Sequence, residues 1–377
     1  MKNEVLTGEE LLRLQQEKGN DCLTVIVPTH RLFPERKMDK IVMEKAYDNA
    51  VLLIESRFGQ QSRETIKQKL KNHISKVDFD HNLDGLGIYV SENFDMMVQF
   101  PFPVREKIVV NNHFDIRDML YKTQISQQYY TLMLSEKSIR LFDCYHENFT
   151  ELKGKHFPLD YYNDWEYSQP GRGSSNAGNA QMRSFEHDKS TIEAKRFQHF
   201  FRQADEYLGD YMVENTPLVL TGTDKDIAWF EEVTAFSKQI VGKLPGNFDH
   251  YALADLGKKC WPVFKSYLDH KIQLLIDEYR EKIGQGLAVT GIQDIWTAVL
   301  EGKGRLLLVE KDFRMPGFTV PENAYFLTLR PPKGKHETIP DAVDEIMETM
   351  LEKGGDVIFT ENGQLAEYNG MALITRY

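Results

Sequence analysis

The stretch with the most chemical potential is Ser168–Lys189, SQPGRGSSNAGNAQMRSFEHDK. Pro170, Gly171, Gly173, Gly178 and a run of Ser and Asn rule out a packed helix or strand. A loop of this length inside a compact domain is functional or disordered. Its arginines are Arg172 and Arg183, and from Ser168 to Arg202 six Lys/Arg stand against three Asp/Glu. That positive island also takes in Lys195 and Arg196, in a chain whose net charge is −11. Cations in such a setting suit contact with phosphate more than bond chemistry. His187 sits between Glu186 and Asp188, and a carboxylate can orient an imidazole as a base. Adjacent loop residues rarely share that geometry, so a solvated charge cluster is the better reading.

A second candidate group is Thr29, His30 and Arg31, polar residues at the exit of the apolar run CLTVIVP. Strand exits often carry sites, although local hydrogen bonding is the commoner use of such residues. The segment DFDHNLDG imitates a calcium loop, with Asp78, Asp80 and Asn82 at alternate positions. Leu83 stands where glycine is needed and Tyr89 where a bidentate Glu is needed, so calcium is rejected. There is no P-loop, no His-Glu-x-x-His, no Gly-x-Ser-x-Gly elbow and no dinucleotide fingerprint. Cys22, Cys144 and Cys260 are odd in number and widely spaced, which indicates neither a disulfide framework nor zinc. No metal and no cofactor is expected.

The elements that must position these residues read as three domains: 1–126, 127–257 and 258–377. The first opens with a helix capped by Thr7 and Glu10 and the buried strand CLTVIVP. Helices over Met38–Phe58 and Arg63–Ile74 follow, then strands at GLGIYVS, Met96–Phe100 and Lys107–Val110. The second opens with YYTLMLS, SIRLFDCY and NFTEL as a strand meander. The aromatic stretch DYYNDWEYS leads into the loop, better suited to pinning it than to stacking on bases. From Thr191 a helix presents Phe197, Phe200, Phe201, Ala204 and Leu208 on one face; PLVLTG and a further helix imply parallel pairing. A long helix over Lys258–Lys282 leads to an α/β/α sandwich with a basic loop, RPPKGKH. The fold class is therefore α/β with α+β mixing, and the middle domain has a mixed sheet and a long loop.

The start, MKNEVLTGEELLRLQQEKG, lacks the apolar core of a signal peptide, and no run is long enough to span a bilayer. With the unpaired cysteines this suggests a reducing cytoplasm and no membrane partner. The acidic balance argues against a protein that coats nucleic acid over its whole surface, and no DNA partner is expected.

The order of these parts resembles the archaeo-eukaryotic class-1 peptide-chain release factor family, which includes Pelota, and most of all its divergent bacterial branch. The residues that carry the resemblance are Gly171-Arg172-Gly173-Ser174-Ser175 in the long loop, the helix after it, and LVLTG at Leu218–Gly222. GLGIYVS, IVVNNHF and IVPTHR in the first domain, with EKGGDVIFT and the ending Ile374-Thr375-Arg376-Tyr377 in the last, complete it. The resemblance implies a ribosomal factor with a tRNA-like outline. It also implies a C-terminal domain similar to kink-turn RNA-binding ribosomal proteins, open to a protein partner. In the family a Gly-Gly-Gln tip positions water against the peptidyl ester. Here Ser174 and Ser175 stand where the second glycine and the glutamine belong, and Gln181 is the one weak candidate for a displaced hydrolytic residue. The first domain also lacks the Asn-Ile-Lys-Ser motif of stop-codon reading. The resemblance thus implies an A-site binder, acting through rRNA phosphates in rescue or hibernation and more a contact protein than an enzyme. The alternatives are a peptidyl-tRNA hydrolase with a remodelled loop, or an RNA- or protein-binding module unrelated to the ribosome.

Overall fold

The computed structural model describes residues 8–17, 22–31, 33–161, 196–212, 216–321 and 323–377. The chain divides into two compact units, one formed by Met1–Ile125 with Ile272–Tyr377 and the other by Ser126–Lys271. The mixed α/β class expected from the sequence is borne out.

In the first unit, helix α1 (Gly8–Gln16) precedes strand β1 (Cys22–Pro28). Helices α2 (Asp39–Arg57) and α3 (Gln60–Ser75) follow, then β2 (Gly85–Val90), β3 (Asp95–Phe100), β4 (Lys107–Asn111) and α4 (Arg117–Ile125). The sheet order is β3-β2-β1-β4, antiparallel throughout. β1 reads as an unbroken apolar run because both faces are covered. Leu23, Val25 and Val27 pack with Met43, Ala46, Ala50 and Ile54 of α2, while Cys22 and Ile26 belong to the core on the opposite side. Glycine is needed in β2: a Cβ on Gly85 would come within 2.5 Å of Val104, and one on Gly87 within 2.8 Å of the Phe100 ring.

The last part of this unit is a second sheet. Strands β11 (Ala288–Thr290), β12 (Gly304–Glu310), β16 (Asp356–Thr360) and β17 (Met371–Thr375) lie in the order β11-β17-β12-β16. Helices α8 (Ile292–Leu300) and α9 (Ala342–Glu352) cover one face, and the C-terminal half of α7 (Leu253–Gly284) covers the other. The alternation within β12 shows the sandwich: Leu307 and Val309 join Ile295, Val299 and Ile346, whereas Leu306 and Leu308 join Ile276 and Tyr279. A small sheet, β14-β13-β15, is appended (β13 Gly317–Val320, β14 Asn323–Thr328, β15 Glu337–Ile339).

The first sheet and this sandwich share one core, and α4 joins them. Gln124 of α4 donates from Nε2 to the Phe359 carbonyl at 2.8 Å and accepts the Phe359 N–H on Oε1 at 2.7 Å. One amide side chain thereby does for edge strand β16 what a neighbouring strand would do. Arg117, 3 % exposed, reaches Asp344 at 2.7 Å, Asp341 at 3.3 Å and the Phe313 carbonyl at 2.6 Å. A buried guanidinium is tolerable only with such complete pairing.

The second unit holds β5 (Gln128–Met133), β6 (Ser138–Tyr145), β7 (Asn148–Glu151), β8 (Leu159–Asp160), β9 (Leu218–Gly222) and β10 (Ile240–Pro245). Its sheet order is β10-β9-β5-β6-β7, with β8 on β6. β5, β9 and β10 pair in parallel and the β5–β6–β7 meander is antiparallel, so the mixed sheet follows the sequence reading. Residues 196–208 form a helix (α5) that packs with α6 (Asp224–Val233) through Phe200, Phe201, Leu208 and Phe230. α7 also reaches this unit: the Tyr129 and Phe264 rings stack at 4.0 Å, and a Cβ on Gly257 would meet the Glu147 carbonyl at 2.0 Å. The helix is longer at both ends than the Lys258–Lys282 expected, and it carries Pro262 internally.

Candidate functional site

Of the loop Ser168–Lys189, Gly171, Arg172, Gly173, Ser174, Ser175, Gln181 and Arg183 all lie outside the described residues, as do Lys195 and His187. What the structure gives is the frame on which the segment is mounted. Tyr161 closes the described chain on one side and α5 opens it on the other, and the Tyr161 ring stacks on Phe197 at 5.0 Å. Phe197 stacks in turn on Trp229 at 5.4 Å, and the Lys225 ammonium lies 4.3 Å from the Trp229 ring centroid. Beneath this aromatic stack, Phe157, Phe200 and Phe201 are buried in the core of the sheet. The two flanks are therefore fixed side by side on a rigid base, the arrangement a binding loop requires. Arg196 is half-buried at the first described turn of α5 and has a partner of its own.

The strand-exit residues are fully described. Thr29 is buried; its Oγ1 donates to the Leu83 carbonyl at 2.9 Å and its N–H to the Asp84 carbonyl at 3.3 Å. Arg31 grips Asp84 with a fork, Nε to Oδ1 at 2.9 Å and Nη2 to Oδ2 at 2.7 Å, and reaches the Pro101 carbonyl at 3.2 Å. His30 stands on Asp39, a buried carboxylate in the first turn of α2. Its Nδ1 lies 2.7 Å from Oδ1, and its backbone N–H donates to Oδ2 at 2.9 Å. Asn82 adds a third donor to Asp39 at 3.3 Å. The imitation calcium loop thus acts as a clasp on the strand exit, supplying Asn82, Leu83 and Asp84.

Nδ1 of His30 is taken up by the Asp39 carboxylate, which leaves Nε2 as the ring nitrogen without a contact to it. The side chain is 44 % exposed, so this nitrogen can hydrogen-bond a ligand. No thiol competes for a nucleophilic role among the described residues. None of the three cysteines is in a disulfide and all are buried; burial pushes the Cys260 thiol up to about 12 and raises Cys144 well above its ordinary range. No group of three or more His, Cys, Asp or Glu among the described residues could hold a metal ion. No described helix is long and apolar enough to cross a membrane.

Thr29, His30 and Arg31 are thus brought together with Asp39, Asn82 and Asp84, three partners that the sequence reading did not assign. Asp39 has only one signal, an acidic residue in a first helical turn, and that signal is shared with many surface helices.

Residues 128–303 match the model of bacterial archaeo-eukaryotic release factor family 3. Over this segment the chain is similar to the bacterial archaeo-eukaryotic release factors, and the resemblance drawn from the sequence is borne out there. The matched segment contains the whole loop 168–189. No curated protein matches the chain. Solved structures similar to it include the Pelota of Archaeoglobus fulgidus, 13 % identical, with 78 % of this chain and 79 % of that one covered and a TM-score of 0.36. Dom34 of S. cerevisiae, a translation termination-like factor, is 10 % identical over 99 % and 93 %, with a TM-score of 0.36. The archaeal translation termination factor aRF1 is 13 % identical over 98 % and 97 %, with a TM-score of 0.24. The similarity rests on the segment match alone.

Proposed function

We propose that this protein is a translation factor that enters the ribosomal A site of stalled or idle ribosomes, in rescue or hibernation, without reading a stop codon. The observation that carries the reading is the match of residues 128–303 to a release-factor family, with the loop 168–189 inside it. Within that loop Ser174 and Ser175 replace the glycine and glutamine of the hydrolytic tip, while Arg172 and Arg183 remain. The aromatic base at Tyr161, Phe197 and Trp229 holds the flanks of the segment together. On this reading the loop makes contact and not chemistry: its arginines, with Lys195 and Arg196, bind rRNA phosphates. In the first domain Thr29 and Arg31 hold the strand exit on which His30 offers a hydrogen-bonding edge. The C-terminal domain remains open to a protein partner, and the place of action is the cytoplasm.

The test is pelleting of the full chain with ribosomes through a sucrose cushion over a range of salt. The reading requires co-sedimentation at low salt that weakens steeply as salt rises. Absence from the ribosomal pellet in every growth state would end it. Release of labelled peptide from stalled ribosomes, lost in Gln181→Ala, would show instead that the loop is hydrolytic.

A further inference from the structure

The appended sheet β14-β13-β15 and the loop joining β14 to β15 contribute no residue to either site above. On β14, Tyr325 is 54 % exposed and Phe326 59 % exposed, large aromatic surfaces that packing would normally remove from water. The connecting loop carries Arg330, Lys333, Lys335 and His336, all exposed, against the single acid Glu337 at its end. Elsewhere in this sandwich the cations are engaged: Lys303 with Glu301, Arg305 with Glu278, Lys311 with Glu361, Arg314 with Asp341. Among the described residues no ion pair engages Arg330, Lys333 or Lys335. Three unpaired cations on one loop, in a chain with more acids than bases, form a local attraction for a polyanion.

The loop is also held in shape. Thr328 Oγ1 donates to the Phe318 carbonyl at 3.2 Å and lies 2.9 Å from the Arg330 carbonyl. His336 sits edge-on to Phe318 at 5.6 Å, with its Nδ1 3.0 Å from the Gly334 carbonyl. The loop that carries the cations is therefore tied to the same small sheet as the rings.

Helix α8 narrows what can bind. Trp296 Nε1 donates to the Ala324 carbonyl at 3.0 Å, Thr297 Oγ1 to that of Tyr325 at 3.0 Å, and Gln293 Nε2 to that of Leu327 at 2.9 Å. These are main-chain acceptors that an added peptide strand would need, so strand addition is blocked there. Side chains are left to do the recognising: flat rings and positive charges. That pairing suits unstacked bases on a phosphate backbone better than an acidic peptide, which has the charge but no faces to stack.

We infer that the β14 aromatics and the 329–336 loop form a contact surface for single-stranded RNA, separate from the loop 168–189. The experiment is fluorescence anisotropy of the full chain with a labelled oligouridylate, titrated at several salt concentrations. Tyr325→Ala with Phe326→Ala is expected to lower affinity roughly tenfold or more with the salt slope unchanged. Reversing Arg330, Lys333 and Lys335 to Glu should lower affinity further and flatten the slope of log affinity against log salt by about 2. The losses caused by the two sets of changes should be of the same size in a background of Arg172→Ala with Arg183→Ala, which separates this surface from the ribosomal reading. All five surface side chains are exposed, and unchanged thermal melts confirm that the variants fold. Lack of oligouridylate binding, or binding indifferent to both sets of changes, overturns the inference. So does a labelled poly-glutamate peptide that binds as tightly and is lost in the same variants, which would assign the surface to a protein.

Discussion

Tyr161 and Phe197 stack with ring centroids 5.0 Å apart and planes inclined by 25°, and the whole of 162–195 runs between them. The two described ends that flank this segment thus meet at one aromatic base. Closing so long a segment costs conformational entropy that grows only slowly with its length, and the stack contributes against that cost where the ends meet. Tyr161, Phe197 and Trp229 form one column of rings at this base.

Removing the middle ring should therefore loosen the base. Phe197→Ala is expected to destabilise the second unit by about 2 kcal/mol, with Phe197→Leu intermediate. Urea denaturation followed by tryptophan fluorescence measures it; a change below a few tenths would show that the stack is incidental.

Arg117 is the joint between the first sheet and the C-terminal sandwich. Arg117→Met would take the nearest cation from Asp341 and Asp344 and leave them only Arg314, at 3.4 and 3.8 Å, and a loss of about 3 kcal/mol is expected. Arg117→Lys keeps the charge but cannot reproduce the fork, so it should recover only part of the loss. Chemical denaturation of the three proteins gives the order directly.

His113 gives the fold a pH dependence. Its Nδ1 lies 2.6 Å from Glu348 and its Nε2 3.3 Å from Glu345. Burial works against the charged ring, but hydrogen bonds to the two carboxylates outweigh it and raise the pKa from 6.5 to about 10. Because the folded value is the higher one, the contribution is complete below pH 6.5 and is lost as pH rises through 10. The stability gap between the parent protein and His113→Gln should be on the order of 2 kcal/mol at mildly acid pH and should close at alkaline pH. Paired urea titrations at the two ends of that window measure it, and a gap that widens with pH would contradict the assignment.

Asp39 collects the His30 backbone N–H, the His30 ring and the Asn82 amide. Asp39→Ala leaves these donors without an acceptor in a buried place, and a cost of about 2–3 kcal/mol is expected. Asp39→Asn should cost less in stability yet change the tautomer of His30. Nitrogen shifts of the His30 ring in NMR spectra distinguish the two: unchanged shifts in Asp39→Asn would show that the carboxylate does not orient the ring.

The elements legible in the sequence are those whose burial matches a simple pattern. β1, β2 and β12 are unbroken apolar runs because both faces are covered, and α2, α5, α8 and α9 carry stripes at helical spacing. α4 escaped notice because its buried side includes Arg117 and Lys122, whose charge disguises a core-facing position. β10 is half-exposed, and its Gly242 reads as a breaker, although a Cβ there would meet Val263 at 2.3 Å. β11, β13 and β15 are too short to show an alternation. At the strand exit the sequence pointed to Thr29, His30 and Arg31, but their partners Asp39 and Asp84 are set by the folding of the chain onto itself. Gln124 is the extreme case. Nothing in its neighbourhood announces an amide that pairs with a strand 235 residues further on.

The central claim is that the loop 168–189 binds the ribosome through its arginines. The most direct measurement is the fraction of the chain that pellets with ribosomes at low salt, compared between the parent protein and Arg172→Ala with Arg183→Ala. The account predicts a clear fall in the double variant, roughly tenfold in affinity, and a shallower salt dependence by about 1–2 in log–log slope. Equal pelleting of the two proteins at every salt concentration would contradict it.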